Sequence, residues 1–474
     1  MIRYAPPMEQ PKENSFLEKL ILLIPFQARK ETAAFLKLGV PMYFTQLATQ
    51  LIGINSVIQS GNYSSDVLAG ILLANGIWFP IFIGFGGIIF FVTPMVAQLY
   101  GANKLNQIGP LVQQGFWLVI PIIMIGMIIL YNATVILDLA GIDEDITKHT
   151  QAYLGMFMFA LPAIMLSQPL RSLSEGITKP FPVTVANIVM LIMAIIGNYA
   201  LIYGNFGFPE MGAKGAGISA IIGTWTAFIG LLIYVIWLDK DYKPTHFSKQ
   251  FDLPSWGTIK EIIQGGWPMG LGNFIELTMF SGATLILGRL GSEVIAAHGI
   301  ALNIGGFFFM VPLSIGMAAS VIVGKQIGEG NLLGAKYSTY FSMKFGTMLA
   351  LVNSLILILY SELIVSSFFS SDPEVIAIAV ILLKFAAFFQ VADAIAMCGI
   401  GSLRGYKDTF GPMIIMFVSY WLVAIPVGSY ISIYGLTGEP LGAAGMWSGM
   451  CLGLCIAAVL VTKRVKKTTE SFTL

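Results

Sequence analysis

Charged side chains are scarce in this chain. They make up 11% of its 474 residues, where a soluble protein has roughly 25%. Hydrophobic residues account for 56%, and the mean hydropathy is +0.80. With so few charges, most of the protein surface cannot face water. The composition therefore excludes a soluble globular protein and predicts a polytopic membrane protein.

Cysteine and histidine are also few. The three cysteines, Cys398, Cys451 and Cys455, lie in apolar runs and are too few for a disulfide framework. The three histidines stand outside any metal-ligand spacing. We expect no enzyme, no cofactor and no nucleic-acid partner.

A cleavable signal peptide is not apparent either. The apolar stretch 14–26 is short, contains Pro25 and lacks a small-residue cleavage site. We interpret it as a helix that lies in the membrane interface before the first span.

Twelve apolar runs are long enough to cross a bilayer, which takes about 20 residues. The alternation of barrel strands is absent and most runs are too long for such strands, so all twelve are predicted helices. In order, spans 1 to 12 cover 34–58, 67–97, 109–131, 151–170, 182–204, 213–237, 262–288, 294–323, 338–361, 376–401, 411–434 and 441–462.

Basic residues are concentrated in one set of loops. Of 26 Lys and Arg residues, only Lys148, Lys214 and Arg289 lie in the alternate set. Because positive charge is retained on the cytoplasmic side, we predict that both ends of the chain are cytoplasmic. The external loops are acidic instead, at 143–145 and 372–374.

The second half of the chain repeats the first at an offset of 227 to 233 residues. The matching motifs keep their order, so chance is a poor explanation. Each half holds six spans, so the halves share one orientation and are related by an axis along the membrane normal. The clearest matches are Val40-Pro41 with Trp267-Pro268, Val96–Gly101 with Val323–Gly328, and Leu170-Arg171 with Leu403-Arg404.

These patterns predict an all-α membrane protein of twelve helices in two pseudo-symmetric six-helix lobes. A long polar break after span 6 separates the lobes. The predicted divisions are a cytoplasmic N-terminal segment with the interfacial helix (1–33), the first lobe (34–238), a cytoplasmic linker (239–260), the second lobe (261–463) and a cytoplasmic tail (464–474).

Two acids lie deep within spans. Of 25 acidic residues, only Glu276 and Asp393 do so, while Glu175 and Asp408 near span ends are expected to reach the cytoplasmic surface. An ionised carboxylate at mid-bilayer costs about 2.5–3.5 kcal/mol on insertion scales. A carboxylate in that position should face a wet cavity or bind a cation, either Na+ or H+.

Neither acid has an acidic partner in the repeat. Glu276 corresponds to Thr49, and Asp393 corresponds to Ala160. A structural role would be expected in both halves, so the asymmetry favours a functional one. We therefore predict that Glu276 and Asp393 bind a coupling cation, that is, a cation whose movement across the membrane drives transport.

With these residues in view, the chain resembles the multidrug and toxic compound extrusion (MATE) family of the MOP superfamily, in particular its NorM-like bacterial branch. The resemblance covers about residues 30–465. It implies two lobes that rock around a central cleft, and export of cationic drugs and dyes driven by inward Na+ or H+ movement. The motifs that carry it are Val96–Ala102, Leu170-Arg171 with Glu175-Gly176, Ala296–Ala301 and Leu403–Thr409.

The resemblance also implies positions and surroundings. Glu276 and Asp393 occupy the family's cation-coupling positions on spans 7 and 10. It implies a multi-pass protein of the bacterial inner membrane, embedded in the lipid bilayer, and we expect a monomer. Na+ is slightly favoured over H+ on resemblance alone, and the residues themselves leave both open.

The first lobe departs from the family pattern. Asn55 stands where relatives usually have Asp, and it cannot carry a transferable proton. Asn198 matches a polar family position, whereas Ala194 and Ala220 replace Asn and Thr. We therefore expect coupling to depend on the second lobe.

Helical spacing places further candidates beside the two acids. Asn273 and Phe280 lie near Glu276, and Phe389, Gln390 and Met397 lie near Asp393. These residues, with Asn55 and Asn198, are predicted to line the cavity or ion site, although interhelical hydrogen bonding is an equal alternative for Gln390 and Asn273. Pro41 and Pro268 are predicted hinges in spans 1 and 7.

Two other functions fit these residues less well. A flippase for lipid-linked saccharides, from the same superfamily, should carry basic residues in its cleft, whereas the interior here shows two acids and Lys384. A channel should show repeated rings of charges or carbonyls, and none is visible.

Overall fold

Every regular element in the described part of the chain is a helix, with no strand. A computed structural model describes residues 26–133, 135, 137, 142–249, 252–369, 371–435 and 439–473. The predicted interfacial helix lies outside these residues, apart from its last position. The α-helices are α1 (Phe26–Tyr63), α2 (Ser65–Phe90), α3 (Val92–Gly101), α4 (Ile108–Tyr131), α5 (Glu144–Phe157), α6 (Leu161–Gly176), α7 (Phe181–Tyr203), α8 (Gly212–Ile233), α9 (Trp256–Leu287), α10 (Ser292–Gly328), α11 (Leu332–Phe368), α12 (Pro373–Gly405), α13 (Phe410–Met416), α14 (Ile425–Tyr434) and α15 (Gly442–Thr473).

Ten helical segments in the described residues are long and apolar enough to cross a membrane. The bent pair α5 and α6 makes an eleventh. Helix α1 has 38 residues but also carries amide side chains, among them Gln46, Gln50, Asn55 and Gln59, and it is not among the ten. The predicted fold class is confirmed, and the predicted count of twelve is consistent with α1 as a further span.

Acidic and polar residues between the spans begin several helices. Asp143 accepts a hydrogen bond from the backbone N of Asp145 at 2.9 Å, and Asp372 accepts one from Glu374 at the same distance. A side chain of this kind satisfies a backbone donor that has no partner within the helix. The acidic loops noted in the sequence thus serve as helix caps.

The two halves exchange the beginnings of their first helices. Phe35, Leu38 and Met42, early in α1, lie in the core of the second half. Ile259 and Ile262, early in α9, lie in the core of the first half. Farther along, α1 also packs on α7 and α9 also packs on α13, within their own halves, while α9 keeps its contact with α2 of the first half.

Backbones of the two halves meet closely at one end of the molecule. We call this the basic end; it carries residues 101–107, 177–180, 239–249 and 405–409. A Cβ atom on Gly101 would collide with the backbone of Lys325 on α10, and one on Gly328 would collide with the backbone of Gln98 on α3. Gln98 also donates through Nε2 to the carbonyl of Gly405 at 2.9 Å. Small residues permit such contact between helices in a membrane.

The repeat is imperfect in span 4. Helices α5 and α6 meet at an angle of 47° across residues 158–160. Helix α12, which corresponds to them in the second half, runs unbroken past Asp393. The two halves therefore differ in shape at the position where they differ in charge.

The linker is docked on the first half. Gln113 donates through Nε2 to the carbonyl of Phe247 at 2.9 Å, and its Oε1 accepts from the backbone N of Asp252 at 2.7 Å. Gln114 accepts from the backbone N of Ser255 at 2.7 Å. The predicted domain boundaries stay a prediction, but the described linker residues pack against α4.

Candidate ion-binding site

The two predicted acids lie on α9 and α12 and interact electrostatically. Asp393 is only 3% exposed, and its Oδ1 has no hydrogen-bond partner in the part of the chain that the structure describes. Glu276 is partly buried, and its carboxylate forms no ion pair or hydrogen bond among the described residues. The two negative charges repel each other in a medium of low dielectric constant. A cation between them would relieve that repulsion.

Tyr420 is a third polar group in this region, and sequence analysis missed it. It lies in the π-helical segment Phe417–Ala424, which interrupts span 11. Met416, one turn earlier, packs on Gly272, and Trp421 donates through Nε1 to Thr278 Oγ1 at 3.2 Å. These two contacts bracket Glu276 along α9. π-helical segments are frequent at functional sites.

The hydroxyl of Tyr420 is fully buried and has no hydrogen-bond partner among the residues that the structure describes. It interacts electrostatically with both Glu276 and Asp393. Buried polar atoms in proteins are nearly always hydrogen-bonded. The Asp393 carboxylate and the Tyr420 hydroxyl offer the anionic and neutral oxygens that hard cations prefer as ligands.

Arg404 approaches from the basic end. Its Nη2 donates to Asn273 Oδ1 at 3.1 Å, and its Nε is buried without a partner. Asn273 precedes Glu276 by three residues on α9, so the two side chains lie one turn apart. The guanidinium and the Glu276 carboxylate attract each other.

The residues predicted beside Asp393 have mixed surroundings. Gln390 donates through Nε2 to the carbonyl of Gly305 at 3.1 Å, while its Oε1 is buried without a partner. Phe389 packs on Trp447 with ring centroids 5.6 Å apart. Met397 is buried, and Phe280 packs at the margin of the second-half core. Lining of the cavity by these four residues stays a prediction.

The first half holds an uncharged polar cluster. Asn55 Oδ1 accepts from Gln59 Nε2 at 2.7 Å, and the same Nε2 donates to the carbonyl of Ile195 at 3.1 Å. Asn198, one turn beyond Ile195, is buried. None of the described hydrogen bonds joins this cluster to Glu276, so the structure does not bring Asn55 and Asn198 together with the two acids.

One sequence expectation was wrong. Glu175 does not reach the surface: it is 4% exposed and accepts from Arg171 Nε at 2.7 Å. The helix α6 continues past Arg171 to Gly176, which keeps Glu175 inside the bundle. A carboxylate four residues after an arginine on a helix is the signal that could have revealed this pair.

The predicted hinge prolines lie inside continuous helices. Helix α1 runs through Pro41, and α9 runs through Pro268. The Pro41 carbonyl accepts from Thr184 Oγ1 at 2.8 Å, which ties α1 to α7. Bending at these prolines stays a prediction.

No cluster of three or more His, Cys, Asp or Glu side chains that could hold a metal ion is present in the described residues.

This fold defines the class: a polytopic helical membrane protein of two similar halves, an arrangement common among secondary transporters. A family model described as MatE matches the chain twice, at residues 41–200 and 268–430. The chain belongs to the MatE family. The two matched segments also agree with the internal repeat.

Relatives support this assignment. The chain is 33% identical to the multidrug resistance protein NorM of Photobacterium profundum over 438 residues, which cover 92% of this chain and 96% of that protein. It is 33% identical to the multidrug resistance protein MdtK of Yersinia pseudotuberculosis over 437 residues, covering 92% and 95%. An outward-facing MATE family transporter structure matches with a TM-score of 0.85 at 16% identity, covering 93% of this chain and 96% of that one.

Proposed function

We propose that the protein is an antiporter that exports amphipathic organic cations, such as drugs and dyes, in exchange for Na+ or H+. Glu276 and Asp393 bind the coupling cation. The observation that carries the proposal is the pair of membrane-embedded carboxylates without salt-bridge partners, beside the unpartnered hydroxyl of Tyr420. The relatives named multidrug resistance proteins favour an exporter over a saccharide flippase.

The chemistry of exchange follows from charge. The carboxylates of Glu276 and Asp393 repel each other, and Asp393 Oδ1 has no hydrogen-bond partner among the described residues. A small cation, for which Na+ is our choice, neutralises this charge, with Tyr420 as a neutral oxygen ligand. A cationic drug competes for the same negative potential, so the two are bound alternately. A cation shifts the conformational equilibrium only by its difference in affinity between the two states.

The packing of the halves suits alternating access. Their close contacts at the basic end, such as Gly101 with Lys325 and Gly328 with Gln98, close that end of the cleft. We propose that this is the outward-open state, with the basic end and both termini in the cytoplasm of a bacterial cell and the protein a monomer in its inner membrane. Separation of these glycine contacts would open the inward-facing cleft.

The test is ethidium efflux from proteoliposomes under an imposed Na+ gradient and, separately, a pH gradient. We expect one gradient to drive efflux by the wild type, and E276Q and D393N to lose that efflux while remaining folded. E374Q is the matched control, because Glu374 lies on α12 with Asp393 but is exposed. Full gradient-driven efflux by both E276Q and D393N would overturn the proposal.

A further inference from the structure

A permanently charged arginine lies between Glu276 and the basic end. Helix α9 begins at the basic end and reaches Asn273 one turn before Glu276. Arg404, at the end of α12, is hydrogen-bonded to Asn273 at 3.1 Å. Arginine keeps its proton at all relevant pH values. Arg404 therefore lies on the side of Glu276 that faces the basic end.

The first half contains the same arrangement. Arg171 corresponds to Arg404, and Gln46 corresponds to Asn273 at an offset of 227 residues. Arg171 donates through Nη2 to Gln46 Oε1 at 3.2 Å. In each half, therefore, the arginine at the end of the fourth span donates a hydrogen bond to an amide side chain on the first span. That amide lies five residues after the proline of the first span.

The halves differ in what neutralises the arginine. Arg171 forms an ion pair with Glu175, four residues later, at 2.7 Å. Four residues after Arg404 comes Asp408, but its two oxygens accept from Arg464 at 2.6 and 3.0 Å. Arg404 therefore has no carboxylate partner in its own loop.

Arg404 and Glu276 are consequently two opposite, partly buried charges without ion-pair partners among the described residues. The Nε of Arg404 is buried and unpartnered, and the Glu276 carboxylate attracts it. An isolated charge in a medium of low dielectric constant is unfavourable unless a second charge compensates it. One turn of α9 separates Glu276 from the amide that holds Arg404.

We propose that Arg404 is a tethered counter-cation that competes with the coupling cation for Glu276. It weakens cation binding through like-charge repulsion, and it neutralises Glu276 once the cation has left toward the basic end. This inference rests on the proposed function, because it assigns a role at the same site. Its consequence is that removal of the Arg404 charge strengthens cation binding and slows cation release.

The experiment measures Na+ binding to purified protein by tryptophan fluorescence, and Na+-dependent ethidium efflux from proteoliposomes. R404Q should lower the half-saturating Na+ concentration about tenfold, as expected for removal of a nearby like charge, and should reduce maximal efflux. N273A frees the guanidinium to approach Glu276 and should raise the half-saturating concentration. Opposite signs for these two variants would separate charge competition from a general structural defect.

The repeat provides the matched control. The double variant R171Q/E175Q removes the corresponding arginine together with its carboxylate, and its half-saturating Na+ concentration should equal that of the wild type. R404K keeps the charge, so its half-saturating Na+ concentration should stay near that of the wild type. It thereby separates loss of the charge from misfolding as the cause of an effect in R404Q. An unchanged or raised half-saturating concentration in folded R404Q would overturn the inference, as would absence of saturable Na+ binding in both wild type and R404Q. If instead E276Q and D393N bind Na+ and transport like the wild type, it is the proposed function that fails.

Discussion

Arg464 holds Asp408 through two hydrogen bonds, from Nε at 2.6 Å and from Nη2 at 3.0 Å. In the first half, Lys179 binds Asp239 at 2.7 Å. Both ion pairs join the loop after the fourth span of a half to the end of its sixth span. The positions of the two charges are reversed between the halves. The loop supplies the base, Lys179, in the first half and the acid, Asp408, in the second. The connection is thus retained in both halves, with different residues.

The first prediction concerns the Asp408 pair. D408N should lower stability by about 1–2 kcal/mol, because Arg464 and Thr468 lose a charged acceptor. Thermal unfolding in detergent measures this. The control is E261Q, since the Glu261–Lys407 pair is largely exposed and should contribute little. Equal losses in both variants would contradict the special importance of Asp408.

The second prediction concerns pH and the Asp239 pair. Burial alone would raise the pKa of Asp239, but its hydrogen bond to Lys179 lowers it below its ordinary value. Burial alone would lower the pKa of Lys179, but Asp239 and Asp241 raise it. Stability from the acid is therefore present above its unfolded pKa of about 4 and is lost as the pH falls further, while that from the lysine is lost above about pH 10.

The corresponding measurement compares thermal unfolding of the wild type and D239N from pH 3 to pH 8. Because the pair is partly exposed, the difference near neutrality should be about 1 kcal/mol or less. It should decrease as the pH falls below about 4, the unfolded pKa of the acid. A difference that stays constant down to pH 3 would show that the pair does not contribute through its charge.

The third prediction separates ligand binding from folding at Tyr420. Y420F removes an unpartnered hydroxyl, so stability without Na+ should be unchanged or slightly higher. The half-saturating Na+ concentration should rise about tenfold, which equals about 1.4 kcal/mol. S432A is the control, since Ser432 also has an unpartnered buried hydroxyl on span 11 but lies three turns farther along. Wild-type Na+ binding by Y420F would remove Tyr420 from the site.

The fourth prediction concerns the contact between the halves. G87A should reduce efflux several-fold, because the new methyl group collides with the Gly270 backbone and the strain costs about 1–3 kcal/mol. G76A, on the same helix, has open space around the new Cβ and should transport normally. Efflux assays at equal protein amounts test this. Equal activity of the two variants would mean that the contact between Gly87 and Gly270 does not control closure of the cleft.

Hydropathy predicted the helices well, because a membrane span must satisfy its backbone internally and remain apolar over its length. It also identified Asp393, since a charge in such a run stands out. Tyr420 could not be singled out in this way: a tyrosine in an apolar span is ordinary, and its burial without a partner depends on how spans 7, 10 and 11 pack. The π-helical register around it has no sequence signal that we recognise.

The burial of acidic residues near span ends was also difficult to predict from the sequence. Glu175 and Asp408 look alike in sequence, four residues after an arginine. Glu175 forms an ion pair with that arginine, whereas Asp408 forms one with Arg464, which is distant in the sequence. Such a choice depends on tertiary contacts, and periodicity alone does not contain them. The bend across residues 158–160 was missed for the same reason.

Docking of the linker on α4 has a mechanical consequence. Gln114 holds the backbone of Ser255, the residue just before α9, so the start of this helix is anchored to the first half. Swinging of the second half must then be absorbed along α9 itself. We expect it to yield near Pro268, where a helical hydrogen bond is missing. Glu276, which follows Pro268 on α9, would then move with the second half. Its distance from Asp393 would vary with the bend angle at Pro268.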